Sequence, residues 1–171
     1  MKAAATPLPS LADVTVRPVR GGDAADLQRF YAGLSAEARH HRFMATRAGI
    51  SPTEATSYTV VDHEHREGFV AVVPDEGGTD HIVGHLCLEP CGDRRVEFAI
   101  VVADAAQRQH VGAALLLAGL AWAREHGVVD LQAVTELDNV AMLRLAVASD
   151  PWTTIGPAAA GTVPLTLPTR P

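Results

Sequence analysis

The sequence has little lysine, cysteine or aromatic character and no long apolar run. Its 14 basic residues comprise one lysine, Lys2, and 13 arginines, and the formal net charge of -6 argues against a general nucleic-acid-binding surface. Cys87 and Cys91 are too few to define a disulfide framework and fit reduced thiols. No apolar stretch approaches the roughly 20 residues that span a bilayer, and the N-terminus has no signal-peptide core. We therefore expect a cytoplasmic protein that binds neither nucleic acid nor membrane.

Length and composition predict one domain. A chain of 171 residues with 47% hydrophobic residues can bury a substantial core. Residues 1–12 are rich in alanine and proline and are predicted to be flexible, and residues 13–168 are predicted to form the domain. A turn cluster at 75–80 separates two runs of strand-like residues, which predicts an antiparallel hairpin.

The segment from Val101 to Leu116, VVADAAQRQHVGAALL, combines an apolar strand, a polar loop and a helix that contains Gly112 near its start. Backbone N–H groups at a helix N-terminus, together with the positive end of the helix dipole, favour an anion such as pyrophosphate. The sequence has neither the Gly-Lys-Ser/Thr of a P-loop nor a G-x-G-x-x-G motif. Both of these nucleotide-binding classes are therefore set aside.

The loop instead resembles the acyl-CoA signature Gln/Arg-x-x-Gly-x-Gly/Ala of the GCN5-related N-acetyltransferase (GNAT) family. The predicted order of strands and helices from Val14 to Leu167 is similar too. This resemblance implies an α/β (α+β) fold, in which one mixed, mostly antiparallel sheet is flanked by helices. Arg17-Pro18, the segment Ser35 to Phe43 and Asp62-His63 are closest to the branch of bacterial protein-lysine acetyltransferases.

The resemblance implies that acetyl-CoA binds at the loop and at the strand before it. In the preferred alignment His110 replaces the first glycine of the motif; a second alignment starts the motif at Gln109 but begins the helix two residues late. The backbone of the strand before the loop is expected to pair with the pantetheine arm. Asn139 matches the family asparagine that contacts this arm, and serves equally well as a helix N-cap. The expected cofactor-binding residues are Ile100, Val101, Val102, Gln107, Arg108, Gln109, His110, Val111, Gly112, Ala113 and Asn139.

Glu97 is the candidate catalytic base, because it interrupts an otherwise apolar strand and the related lysine acetyltransferases often carry a glutamate there. A buried carboxylate holds its proton more tightly, which would suit a base that takes a proton from a substrate ammonium. The alternative is a structural ion pair with Arg94 or Arg95. Ala146 stands where family members offer a tyrosine to protonate the departing thiolate, so no general acid is assigned.

No metal site is predicted from the histidines and cysteines. His81, His85 and Cys87 share one strand face with spacing that does not wrap a metal, and are interpreted as part of a half-exposed strand. His40, His41, His63 and His65 are interpreted as polar surface or segment-end residues rather than ligands.

These observations together predict an enzyme that moves an acetyl group directly from acetyl-CoA to a primary amine, with no cysteinyl intermediate. The acceptor is either a protein lysine or a small-molecule amine, and the protein a monomer or homodimer. With Lys2 as the only lysine, any lysine substrate in a folded domain comes from another molecule. The alternatives are a non-catalytic acyl-CoA-binding regulatory module and an interaction scaffold that binds no cofactor.

Overall fold

The strands of the chain form one sheet, and the helices pack against it. The computed structural model describes residues 14–75 and 77–169. The strands are β1 (Thr15–Pro18), β2 (Glu67–Pro74), β3 (Asp80–Gly92), β4 (Arg95–Val102), β5 (Asp130–Glu136), β6 (Thr154–Ile155) and β7 (Thr162–Pro168). The helices are α1 (Ala24–Gly33), α2 (Ala36–Phe43), α3 (Pro52–Thr59), α4 (Val111–Glu125) and α5 (Val140–Ser149), with 3₁₀ turns at Gly21–Asp23 and Asp104–Ala106.

The seven strands lie in the order β1-β2-β3-β4-β5-β7-β6. Every pairing is antiparallel except that of β4 with β5, which is parallel. The predicted mixed, mostly antiparallel sheet is confirmed, and so is the hairpin between β2 and β3. The predicted flexible segment 1–12 lies outside the described residues. No helix in the described part of the chain is long and apolar enough to cross a membrane.

Both faces of the sheet are covered, and each face has its own hydrophobic core. On one face α4 packs Leu115, Leu116 and Leu120 against the sheet. On the other face, residues of α1, α2 and α3 pack against Val70 and Val101. The middle of β3 is therefore buried on both sides, and the expectation that it is half-exposed was wrong: His85 has no solvent exposure and Cys87 is buried.

The helix α3 was not predicted from the sequence. It begins with Ser51 as N-cap, Pro52 in the first turn and Glu54 at the third position, where the Ser51 and Glu54 side chains bond each other's backbone N–H groups. This capping box is a sequence signal for a helix start and could have located the helix. The two C-terminal strands predicted near 152–155 and 162–167 are present as β6 and β7, with β6 reduced to two residues.

Two glycines allow the close approach of α4 to the sheet. A Cβ atom added at Gly119 would lie 2.7 Å from Leu86 Cδ2, and one at Gly84 would lie 2.8 Å from Leu115 Cδ1. These distances are too short for real contacts, and the neighbouring leucines are fully buried. A methyl group at either site therefore overpacks this core.

We expect Gly119→Ala to destabilise the protein by about 1–3 kcal/mol, the usual cost of overpacking a core. Urea unfolding monitored by circular dichroism measures the change. Gly33→Ala is the matched control, since a Cβ at the end of α1 meets nothing within 4 Å. Equal stability of the two variants would contradict the tight contact of α4 with β3.

Candidate active site

The parallel strands β4 and β5 separate part of the way along the sheet. They pair only at Arg95 with Asp130, Val96 with Leu131 and Glu97 with Gln132. Beyond the last pair, β4 continues to Val102 on the side of β3, and β5 continues to Glu136 on the side of β7. A gap therefore opens between the carboxyl ends of the two strands.

The backbone groups that face this gap follow from the pairing of β4 with β3. Ala103 N donates to Val83 O at 2.8 Å, and the register continues without a shift through Val101 opposite His85. Because N–H and C=O groups point alternately to the two sides of a strand, Ile100 and Val102 direct theirs toward the gap. Val101 directs its backbone toward β3 and buries its side chain against α1–α3. The expectation that the Val101 backbone is free was therefore wrong.

A run of unpaired backbone amides follows β4. The N–H groups of the six residues 108–113 have no hydrogen-bond acceptor among residues 14–75 and 77–169, and the first helical bond of α4 runs from Ala114 N to His110 O. The positive end of the α4 dipole adds to these donors. Gln107 Nε2 bonds Val102 O at 3.2 Å and Gln109 Nε2 bonds Ala105 O at 2.7 Å, so both side chains shape the loop. The loop can therefore bind a pyrophosphate through its backbone.

His110 occupies a backbone conformation that favours glycine. It is the N-cap of α4 with φ of 64°, and its side chain makes no capping hydrogen bond. This conformation agrees with the preferred alignment, in which His110 replaces the first glycine of the motif. The second motif glycine has a different reason: a Cβ at Gly112 would lie 3.3 Å from Leu145 Cδ2, so Gly112 lets α4 approach α5 closely.

We expect the His110→Gly variant to be more stable than His110→Ala by about 1 kcal/mol, because only alanine retains the cost of the left-handed conformation. Urea unfolding without ligand measures the difference. The same pair at Gln107, where φ is -68°, is the matched control. There we expect alanine to be the more stable variant. If the same variant, glycine or alanine, were the more stable one at both positions, the left-handed conformation of His110 would be contradicted.

Asn139 caps α5 with its side chain: Oδ1 accepts a hydrogen bond from Met142 N at 3.1 Å. The capping role considered in the sequence analysis is therefore confirmed. Seven residues further on, Ala146 is fully buried and offers no proton donor.

Glu97 lies at the last pair before the gap, and its side chain is exposed. The expectation of a buried carboxylate was therefore wrong. The alternative of an ion pair is not seen either: Arg95 lies 3.6 Å from Asp130, and Arg94 donates to a backbone carbonyl. Within the described ranges Glu97 makes no side-chain hydrogen bond or ion pair, so its carboxylate is free to meet solvent or a substrate.

A buried polar cluster on the same sheet face was missed by the sequence analysis. Tyr31 Oη lies 3.0 Å from His85 Nδ1 and accepts a hydrogen bond from Arg42 Nε at 3.2 Å, while Arg42 Nη2 lies 3.2 Å from Cys87 Sγ. Burial raises the pKa of the Cys87 thiol, so this cysteine is protonated and a poor nucleophile. The cluster fixes α2 over β3. In the sequence it was marked by the Arg42-Phe43 pair at the end of a short polar helix.

Burial lowers the pKa of His85 from 6.5 to about 3. The unfolded chain thus binds a proton near pH 6.5 while the folded protein does not, so the free energy of unfolding falls as the pH falls between these values. As the pH falls through this window, we expect the free energy of unfolding to decrease less steeply in His85→Gln than in the parent protein. The difference between the two slopes is up to about 1.4 kcal/mol per pH unit. Urea unfolding from pH 7 to 4 measures both, with exposed His65→Gln as the control. Identical slopes for His85→Gln and the parent would contradict a neutral buried His85.

The helix α2 crosses the mouth of the gap. At its N-terminus Ser35 N and Oγ donate to Asp104, which follows β4. Near its C-terminus His40 Nε2 and His41 Nδ1 lie 2.9 and 3.1 Å from the two carboxylate oxygens of Glu136, the last residue of β5. The ends of both diverging strands are therefore joined by α2 on the sheet face opposite α4.

The geometry matches a known family. Residues 34–148, more than half of the chain, match the model of the Acetyltransferase (GNAT) family. The chain therefore belongs to the GNAT acetyltransferases, as the resemblance implied.

Individual relatives agree with this assignment. The chain is similar to the GNAT domain of Streptomyces lividans PAT, with a TM-score of 0.80, 27% identity, and coverage of 91% of this chain and 90% of that one. An acetyltransferase of Pseudomonas aeruginosa is 27% identical over 79% of this chain and 73% of its own length. A Sinorhizobium meliloti phosphinothricin acetyltransferase, solved in complex with acetyl-CoA, shares the fold at 17% identity and a TM-score of 0.72 over 91% of this chain and 88% of its own.

Proposed function

We propose that the protein transfers an acetyl group from acetyl-CoA to a primary amine by direct attack of the amine on the thioester. One observation carries the proposal: the six free amides of residues 108–113 lie beside the open end of the gap between β4 and β5. The pyrophosphate binds these amides, as oriented donors at a helix N-terminus bind anions. The relatives solved with acetyl-CoA support this choice of ligand.

The pantetheine arm enters the gap from its open end. Its amides need partners, and the backbone N–H and C=O of Ile100 and the N–H of Val102 supply them, so that the arm takes the place of a neighbouring strand. The arm thereby carries the thioester toward the apex, where β4 and β5 rejoin. A backbone N–H near the apex is placed to polarise the thioester carbonyl as the tetrahedral intermediate forms.

Glu97 serves as the general base at the apex. Its carboxylate is exposed at the last pair between β4 and β5 and makes no side-chain hydrogen bond within residues 14–75 and 77–169. Glu97 receives the proton of the ammonium either directly or through one intervening water molecule. The amine then attacks the carbonyl carbon, and the thiolate of CoA departs.

A water molecule donates a proton to the departing thiolate and takes up the proton that the attacking nitrogen loses as the amide forms. Ala146 stands at the position of the family tyrosine, and Tyr31 is fully buried in the cluster with Arg42 and His85. Neither side chain can protonate a leaving group in the gap. Because CoA is a thiol with a moderately low pKa, water suffices as the donor, at a cost in rate.

The acceptor is a protein lysine or a small-molecule amine. Because Lys2 is the only lysine of this chain, a lysine acceptor in a folded domain belongs to another protein molecule. The resemblance of Arg17-Pro18, residues 35–43 and Asp62-His63 to the bacterial protein-lysine acetyltransferases favours a protein lysine. We further propose that the protein is cytoplasmic and that it is a monomer or a homodimer, as expected from the sequence.

A second candidate is a non-catalytic acyl-CoA-binding module. Two observations favour it: His110 at a glycine position and Ala146 at the tyrosine position. Such a module binds acetyl-CoA without turnover on any amine. Calorimetric titration with acetyl-CoA, followed by an acceptor screen on proteins and small amines that detects free CoA, distinguishes the two. Absence of binding at millimolar acetyl-CoA would contradict both.

We expect Glu97→Gln to lower kcat by about 100-fold or more, the usual contribution of a general base, with little change in the affinity for acetyl-CoA. Free CoA release measures the rate, and calorimetry measures the affinity. Glu125→Gln is the matched control, because Glu125 is an exposed glutamate at the far end of α4. Equal kcat values for the two variants would overturn the assignment of Glu97.

A further inference from the structure

A cluster of potential metal ligands lies where α2 meets the end of β5. The ligand atoms of His41, Glu136 and Asp138 all lie within 4.8 Å of one another. Both of the histidines near Glu136, His40 and His41, were expected to be surface residues, and no role was predicted for these carboxylates. His40 Nε2 lies 2.9 Å from Glu136 Oε1, the carboxylate oxygen that His41 does not contact. We propose that His41, Glu136 and Asp138 form a site for a zinc-class divalent ion.

The spacing of the ligand atoms fits such an ion. Zinc bonded at 2.0–2.2 Å holds neighbouring ligand atoms roughly 3.3 Å apart in a tetrahedral site. His41 Nδ1 and Glu136 Oε2 are already 3.1 Å apart. The Asp138 carboxylate needs a movement of no more than about 1.5 Å, which rotation of an exposed side chain supplies.

The backbone holds the two carboxylates together. Glu136 and Asp138 flank Leu137 in a tight turn that Asn139 N closes with a 3.1 Å hydrogen bond to Glu136 O. Zinc ligand pairs in proteins commonly straddle such a turn. The third donor, His41, comes from the last turn of α2, so the three donors arise from two separate parts of the chain.

The carboxylates are not committed to cations elsewhere. The side chain of Asp138 makes no hydrogen bond or ion pair within 14–75 and 77–169, and Glu136 is bonded only to the two histidines there. Of the nearby arginines, Arg39 donates to the backbone carbonyls of Leu34 and Arg47. The side chain of Arg47 bonds the carboxylate of Glu54.

The ligand set selects the kind of ion. One imidazole and two carboxylates suit zinc, cobalt or nickel, whereas magnesium and calcium prefer oxygen ligands alone. A bound ion would replace the hydrogen bonds between α2 and Glu136 with shorter coordinate bonds. It would thereby fasten α2 across the mouth of the gap between β4 and β5. The site is independent of the proposed reaction, since it contains neither Glu97 nor a residue of the amide loop.

Calorimetric titration of the full chain, free of any polyhistidine tag, with zinc chloride tests the proposal. We expect one ion per chain, and at least about tenfold weaker binding in Asp138→Asn and in His41→Ala. Cobalt chloride is a second probe, because a tetrahedral cobalt site absorbs strongly in the visible range. Asp138 is exposed and unbonded, so Asp138→Asn is expected to fold like the parent protein.

His65→Ala is the matched control, since His65 is an exposed histidine beside a single carboxylate, Asp62. We expect this variant to bind zinc within twofold of the parent protein. Thermal unfolding with zinc provides a second readout, with a rise in Tm for the parent and His65→Ala but not for Asp138→Asn. The proposal is overturned if zinc does not bind at 1 mM, or if the parent and Asp138→Asn bind it equally.

Discussion

The parting of β4 from β5 is the constraint on which the site depends. Three residue pairs hold the strands together, and beyond them each strand is bonded only to its outer neighbour. Backbone groups left without partners inside a protein cost free energy, so such a gap favours a ligand that carries amides of its own. The pantetheine arm of acetyl-CoA, which we propose enters this gap, carries such amides. The unpaired edges of β4 and β5 are therefore the part of the sheet that a ligand of this kind would complete.

Different elements surround this gap on the two faces of the sheet. On the face of α4, the chain leaves β4, turns through residues 104–110 and presents free amides at the start of the helix. On the opposite face, α2 is bonded to the chain after β4 through Ser35 and to the end of β5 through His40 and His41. The buried bonds of Arg42 to Tyr31 and Cys87 fix the same helix to β3. One face therefore presents the backbone amides at the start of α4, and the other carries the helix that crosses the mouth of the gap.

Some features were predictable because they are local. The hairpin between β2 and β3, the stop of α4 at Gly127 and the strand-loop-helix order around Gly112 each follow from a short stretch of sequence. Helix α3 was equally predictable from Ser51, Pro52 and Glu54 but was missed. Glu97 was located on the correct strand, yet its burial was misjudged, because an apolar alternation does not tell which neighbours cover a strand face.

The sequence by itself determined the class of fold through its resemblance to the GNAT family, and it located the strand, loop and helix around Gly112 because these residues lie close together in the chain. Only the tertiary structure decided which backbone groups are free. Val101 and Val102 are alike in sequence, but the register with β3 turns the first away from the gap and the second toward it. Likewise, 95 residues separate His41 from Glu136. No local pattern joins such partners, because their meeting depends on how the whole sheet and α2 pack.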